Sequence, residues 1–128
     1  MQQIDKNNYK QFINCYSGFH DAYVKELKYD TEQLKIVITF DVWTTGTPIL
    51  YDHGKYDEAQ AKLKMIFEKV HDFSENNPYK KNYIDYAYID FFNNNGDRTI
   101  CFSLYGEAPD EEPYLYITCE NIEYEEIK

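Results

Sequence analysis

The spacing of apolar residues changes once along this chain of 128 residues. Near the start, apolar side chains recur at every third or fourth position, at Tyr9, Phe12, Ile13 and Tyr16. This spacing places them on one side of an α-helix. We therefore predict an N-terminal helix within residues 1–18, with Asp5 as its N-cap and Gly18 as its stop signal.

From residue 20 onward, apolar residues alternate with polar ones, which is typical of β-strands with one buried face. The clearest strand carries an inward row of Leu34, Ile36, Ile38, Phe40 and Val42. Residues 21–29 form its predicted hairpin partner, and further alternating segments cover 61–70, 82–92, 100–104 and 115–124. Short links join consecutive segments, apart from a long break at residues 44–60. Such a succession favours antiparallel pairing of neighbouring strands.

Three one-residue shifts interrupt this alternation, near Lys25–Glu26, Glu68–Lys69 and Glu120–Asn121. A β-bulge produces such a shift and bends the strand that carries it. We therefore predict an α+β, mostly β fold in a single domain over residues 1–128. In this fold the N-terminal helix packs on a curved antiparallel sheet of about six strands, which spans residues 20–128.

The helix has a predicted place on that sheet. An amphipathic helix must bury its apolar stripe against another element. We expect Phe12 and Ile13 to be buried against the inward row of Leu34, Ile36 and Ile38.

Aromatic residues make up 18% of the chain, and fourteen of them are tyrosines. One run carries Tyr83, Tyr86, Tyr88, Phe91 and Phe92. Exposed aromatic residues on a sheet can stack nucleic acid bases, but such surfaces have basic surroundings. This chain carries a net charge of −10. We therefore interpret the run as core or sheet-face packing, and we expect no nucleic acid partner, because phosphate neutralisation dominates such binding.

The negative charge is concentrated at the C-terminal end. Residues 107–128 contain eight acidic residues and one lysine, whereas residues 1–106 contain fifteen acidic and twelve basic residues. A surface of this kind attracts cationic partners. The residues that we expect to face a basic protein are Asp110, Glu111, Glu112, Glu123, Glu125 and Glu126. The alternative is a solvated edge, because charged residues on a terminal strand also prevent edge-to-edge aggregation.

The sequence shows no catalytic, metal or cofactor motif. Its three cysteines, Cys15, Cys101 and Cys119, form no Cys-x-x-Cys pair, so we expect buried free thiols. The pairs His20-Asp21 and His71-Asp72 fall on predicted strands, where adjacent side chains point to opposite faces. We therefore predict no metal site and no cofactor.

The break at residues 44–60 supports a competing hypothesis, a small-molecule-binding domain or enzyme. Loops of this length in compact domains are often functional, and aromatic walls with a few polar groups are typical of ligand pockets. The candidate pocket residues are Trp43, Tyr51, Asp52, His53, Tyr56, His20 and His71. This hypothesis requires His53 to lie within hydrogen-bond reach of a polar side chain such as His20 or His71. The alternative is a flexible surface loop.

The first ten residues are polar and lack the apolar segment of a signal peptide. No stretch approaches the roughly 18 apolar residues that a membrane span requires. We therefore expect a cytoplasmic protein with no membrane partner.

Short motifs in the chain resemble known families. The opening reads Gly18-Phe19-His20-Asp21-Ala22-Tyr23-Val24, and a later strand has the form Leu63-x-x-x-Phe67-x-x-Val70. The chain is similar in these motifs to small β-rich bacterial domains of the immunity-protein-like and uncharacterised-domain families, many of which begin with a Phe-His-Asp hairpin. The resemblance implies a non-catalytic intracellular protein that binds and neutralises a cognate toxin. The acidic end agrees with this, since many toxin enzymes are cationic.

Overall fold

The structure is a computed structural model that describes residues 1–44, 59–75, 83, 84, 86–94, 97–106, 113 and 115–127. Within these residues, one α-helix, α1, covers Tyr9–Cys15, and a 3₁₀ turn covers Ser17–Phe19. The strands, in chain order, are β1 (Gln2–Gln3), β2 (Ala22–Asp30), β3 (Lys35–Thr44), β4 (Ala59–Glu68), β5 (Asp72–Glu75), β6 (Tyr83–Ile84), β7 (Tyr86–Asn94), β8 (Asp97–Tyr105), β9 (Leu115–Cys119) and β10 (Asn121–Ile127).

These strands form two antiparallel sheets. The order is β1-β10-β4-β3-β2-β6 in the first sheet and β5-β9-β8-β7 in the second sheet. The predicted mostly β, antiparallel fold with one helix is therefore confirmed. The predicted single sheet of about six strands is wrong, because two of the alternating segments are each divided between the two sheets: 82–92 into β6 and β7, and 115–124 into β9 and β10. The segment 61–70 lies in the first sheet as β4 and is followed by β5 in the second sheet.

Two of the three predicted bulges are instead corners, where the chain passes from one sheet to the other. β4 pairs with β10 in the first sheet and β5 pairs with β9 in the second, so both strands of the pair bend together. Lys69, between β4 and β5, has a φ of +52°. Backbone hydrogen bonds hold the corner: Glu120 N donates to Glu68 O at 3.2 Å, and His71 N donates to Thr118 O at 2.8 Å. Strands that change sheets in this way form the corners of two-sheet folds.

The third shift is a bulge, as predicted. The register of β2 against β3 changes between Val24 and Glu26, which leaves Lys25 as the extra residue. The Lys25 amino group lies 3.2 Å from the carboxylate of Asp41 on β3.

One cluster of buried apolar side chains lies between the sheets. Four phenylalanines at its centre are fully buried: Phe19, Phe40, Phe67 and Phe102. The ring of Phe102, on β8, lies 5.1 Å from the ring of Phe67 and 6.4 Å from that of Phe40, both in the first sheet. Aromatic pairs at such distances contribute about 0.5–1.5 kcal/mol beyond the burial of their area. Phe102 therefore joins the two sheets.

Helix α1 lies between the ends of the two sheets. The buried ring of Phe12 is 4.5 Å from that of Tyr124 on β10, and the ring of Tyr9 is 5.1 Å from that of Phe91 on β7. Phe12 is buried, as predicted, and Ile13 packs on the same core while partly exposed. The rings that lie against Phe12 are those of Tyr16, Phe19 and Tyr124, and the predicted contact with Leu34 is wrong because Leu34 is exposed. Among the described residues, no helix is long and apolar enough to cross a membrane.

The start and the end of helix α1 differ from the predictions. The helix begins after Asn8, and the Asp5 carboxylate instead accepts hydrogen bonds from the backbone N–H groups of Asn7 and Asn8 in the preceding turn. Gly18 lies beyond the helix, in the 3₁₀ turn, with a φ of +66°.

Leu34 is also misplaced by the prediction. It lies in the hairpin turn with a φ of +53° and is 47% exposed, so it does not belong to the inward row. The other four members of that row, Ile36, Ile38, Phe40 and Val42, are fully buried.

Candidate functional site: an aromatic face on the second sheet

Strand β7 exposes large aromatic side chains on the outer side of the second sheet. Tyr86, Tyr88 and Phe92 are 45%, 53% and 49% exposed, whereas the intervening Ala87 and Ile89 are buried in the core. The interpretation of this run as packed residues is therefore wrong for these three side chains. Side chains alternate between the two faces of a strand, and a strand with apolar residues on both faces does not itself indicate which face is covered.

The aromatic surface continues across the neighbouring strands. Tyr105 on β8 lies opposite Tyr86, and their rings stack at 4.6 Å with an angle of 12° between their planes. Ser103 on β8 lies opposite both Tyr88 on β7 and Tyr116 on β9. Tyr105 and Tyr116 are half-buried. We call this surface the aromatic face; its rings are those of Tyr86, Tyr88, Phe92, Tyr105 and Tyr116.

Small side chains form the middle of the aromatic face and are buried beneath its rings. They are Cys101, Ser103 and Thr118. The Cys101 thiol beside the Tyr116 hydroxyl, together with burial, raises the pKa of Tyr116 to about 12. Tyr116 therefore keeps its proton to a higher pH than an ordinary tyrosine.

The Thr118 hydroxyl, unlike that of Tyr116, has no neighbouring polar group that satisfies it among the described residues. Its oxygen is buried and has no hydrogen-bond partner among the described residues. A buried hydroxyl without a partner costs free energy and is uncommon in native proteins. The middle of the aromatic face therefore contains a polar atom that the described part of the chain leaves unsatisfied.

The charged side chains of the aromatic face are acidic. Asp90 lies between Tyr88 and Phe92 on β7, and Asp72 on β5 lies opposite Thr118. One oxygen of Asp90 accepts a hydrogen bond from the backbone N–H of Phe91 at 2.9 Å. None of the outward positions over residues 72–75, 86–92, 99–105 and 115–119 holds a lysine or arginine. This face therefore combines exposed rings with negative charge.

The outer face of the first sheet has a mixed charge by comparison. Glu125 on β10 lies opposite Lys64, Glu123 lies opposite Ile66, and Lys28 forms a 3.1 Å ion pair with Glu26. Opposite charges on neighbouring strands partly neutralise each other.

The structure places the predicted acidic partner-binding residues on different surfaces. Glu123 and Glu125 lie on the outer face of the first sheet, whereas Glu126 lies on the inner side, where its carboxylate accepts a hydrogen bond from the Tyr16 hydroxyl at 2.9 Å. Asp110, Glu111 and Glu112 lie outside the described residues.

The candidate pocket is described only in part. Tyr51, Asp52, His53 and Tyr56 lie outside the described residues. Trp43 is half-buried near the end of β3, and His20 lies at the same end of the first sheet, because Tyr23 is paired with Asp41.

His71 lies at the other end of the first sheet, since Val70 N donates to Leu34 O at 2.8 Å. From Leu34 to Asp41 an extended strand rises roughly 24 Å. The structure therefore does not bring His71 to His20.

The histidines and cysteines differ in part from the predictions. His20 and Asp21 precede β2, and a φ of +62° at Asp21 allows their side chains to approach within 3.5 Å. His71 lies 3.5 Å from Glu120 across the corner. Cys101 and Cys119 are buried free thiols, as predicted, but Cys15 is exposed. The described residues contain no group of three or more His, Cys, Asp or Glu side chains that could hold a metal ion.

Comparison of the sequence with protein-family models gives no match, and comparison with curated proteins gives no significant relative.

Proposed function

We propose that this chain is a non-catalytic binding protein that recognises a basic protein through the aromatic face. The observation that carries the proposal is the exposure of three large rings, Tyr86, Tyr88 and Phe92, on one side of one strand. Contiguous exposed apolar surface marks interaction sites in soluble proteins. Tyrosine and phenylalanine are also enriched in the buried centres of protein interfaces.

The net charge of −10 supports a basic partner. Complementary charge raises association rates and disfavours partners of the same sign. Neutralisation of a cationic bacterial toxin is the specific form of this function that the sequence resemblance implies, and we retain it as part of the proposal. The acidic residues of the C-terminal end then contribute long-range attraction, while the aromatic face provides the contact.

The proposal is tested by comparing two variants that both remove exposed rings. The first, Tyr88→Ser with Phe92→Ser, changes the aromatic face. The control, Tyr23→Ser, removes a tyrosine that is 41% exposed on the first sheet. Each tagged variant and the unchanged chain is incubated with lysate of the native host, and proteins captured by the unchanged chain are identified, purified and measured by calorimetry.

We expect a basic protein that binds the unchanged chain and Tyr23→Ser equally. It should bind the aromatic-face variant at least about tenfold more weakly, because truncation of an aromatic hot-spot residue at an interface centre costs about 2 kcal/mol or more. A captured protein that binds the aromatic-face variant as tightly as the unchanged chain would contradict the proposal. The absence of any captured protein that binds with measurable affinity would also contradict it.

A further inference from the structure

We propose that the partner contacts the aromatic face through an arginine side chain that lies over Asp90, between the rings of Tyr88 and Phe92. This inference names the chemistry of the partner for the function proposed above and depends on that function. The inference places the main contact at Asp90 on β7, and not at the acidic residues of β10.

The geometry of β7 supports the anchor. Tyr88, Asp90 and Phe92 are alternate residues of one strand, so their side chains point the same way at intervals of about 7 Å. A cation within about 6 Å of an aromatic ring centre is attracted by the ring. One guanidinium group above the Asp90 carboxylate is therefore within reach of both rings.

The Asp90 carboxylate is available for this contact. Its Oδ1 accepts the hydrogen bond from Phe91 N, and its Oδ2 has no partner among the described residues. Asp90 is half-exposed, between two rings that are about half exposed. An apolar partner that covered these rings would bury the carboxylate without a counter-charge, which is costly. The partner must therefore supply a positive charge at this position.

The positive charge is better supplied by arginine than by lysine. The guanidinium group is planar, stacks on aromatic rings and is more weakly hydrated than an ammonium group, so it is more easily buried in an interface. It also has five N–H donors. The row of residues across the sheet runs from Asp90 through Cys101 and Thr118 to Asp72, so a second acid and the unsatisfied Thr118 oxygen extend the same polar row.

Nuclear magnetic resonance with a defined peptide tests the anchor. Octa-arginine is titrated into the isotope-labelled chain at low salt, where charge interactions are least screened. Two variants each remove one negative charge: Asp90→Asn on the aromatic face and Glu123→Gln on β10. Octa-lysine is the matched peptide of equal charge.

We expect octa-arginine to shift resonances of Tyr88, Asp90 and Phe92 most strongly. Asp90→Asn is expected to weaken its binding at least about fivefold, which corresponds to about 1 kcal/mol. Glu123→Gln is expected to weaken binding less than about twofold, because rim charges contribute little. Octa-lysine should bind several times more weakly than octa-arginine.

Three results would overturn the inference: shifts centred on Glu123 and Glu125, equal weakening by the two variants, or equal binding of the two peptides. If one of these occurs while the captured protein still loses affinity for the aromatic-face variant, the proposed function stands and the arginine anchor alone is wrong. If the captured protein binds both variants of the earlier experiment equally, the proposed function itself fails.

Discussion

The hydroxyl of Tyr16 donates a hydrogen bond to the carboxylate of Glu126 at 2.9 Å, which connects the end of α1 to the last strand of the first sheet. Tyr16 is buried, and the ring of the neighbouring Phe12 lies on Tyr124 of the same strand. The helix is therefore attached to β10 by both a polar and an apolar contact. One acidic residue of the C-terminal end is therefore engaged in a contact within the chain, although Glu126 itself remains exposed.

Tyr16→Phe tests the contribution of this bond to stability. The variant keeps the ring and removes only the hydroxyl, so we expect the free energy of unfolding to fall by about 1 kcal/mol. The matched control is Tyr124→Phe, which removes a hydroxyl that donates to the exposed Gln2 side chain at 2.9 Å. Urea unfolding should show a smaller loss for the control. Equal losses would mean that the Tyr16–Glu126 hydrogen bond contributes no more to the free energy of unfolding than the exposed Tyr124–Gln2 bond.

The stability of the chain should fall at alkaline pH. Burial, and then the bond to Glu126, raise the pKa of Tyr16 above its ordinary 10.0, and burial raises the pKa of the Cys119 thiol from 9.0 to about 12. The folded chain therefore retains protons that the unfolded chain loses, so the free energy of unfolding decreases as pH rises above about 9 for Cys119 and above about 10 for Tyr16. Below these values the contribution is fully present.

Urea midpoints measured between about pH 8 and pH 11 check this pH dependence. Cys119→Ala should flatten the decrease that begins near pH 9, and Tyr16→Phe the decrease that begins near pH 10. A midpoint that stays constant or rises over this range would contradict the buried, protonated state of both groups.

The junction between the sheets is tested at Phe102. Its ring contacts phenylalanines of the first sheet, so Phe102→Ala should reduce the free energy of unfolding by about 3–5 kcal/mol. Leu34→Ala is the informative control, because the sequence pattern places Leu34 in the core while the structure exposes it. We expect Leu34→Ala to change stability by less than about 0.5 kcal/mol. A large loss of stability for Leu34→Ala in urea unfolding would mean that Leu34 is buried with the inward row, and it would contradict the exposed position in the structure.

The corner at Lys69 is tested by a β-branched substitution. Its φ of +52° is strongly unfavourable for valine, so Lys69→Val should lose about 1–2 kcal/mol. Lys62→Val, at an exposed position of β4, should be nearly neutral because valine favours extended backbone. Equal stability of the two variants in thermal unfolding would indicate that residue 69 is extended and that β4 continues as a regular strand.

The sequence predicted the elements of this fold better than their arrangement. The alternation from Ile36 to Val42 identified β3 because only one of its faces is buried. A one-residue shift, however, has the same appearance at a bulge and at a corner, so Lys25 and Lys69 could not be distinguished without the long-range pairing of β4 with β10. That pairing joins residues more than fifty positions apart, and no local pattern records it.

The candidate site was harder to predict for a related reason. β7 is apolar on both faces, and the pattern alone cannot say whether Tyr88 or Ile89 is covered. The covered face is decided by the first sheet, most of whose strands are distant from β7 in sequence. The concentration of negative charge was visible in the sequence. That Glu123 and Glu126 point to opposite faces of β10 could be assigned only from the pairing of β10 with β4.

Hydroxyl-radical footprinting of the complex between this chain and its captured partner tests the central claim most directly, because oxidation reports the solvent exposure of individual rings. We predict that the partner protects Tyr86, Tyr88 and Phe92 from oxidation while Tyr23 on the first sheet is oxidised as in the free chain. Protection of Tyr23 with unchanged oxidation of Tyr88 and Phe92 would show that the partner binds the first sheet and would contradict the account.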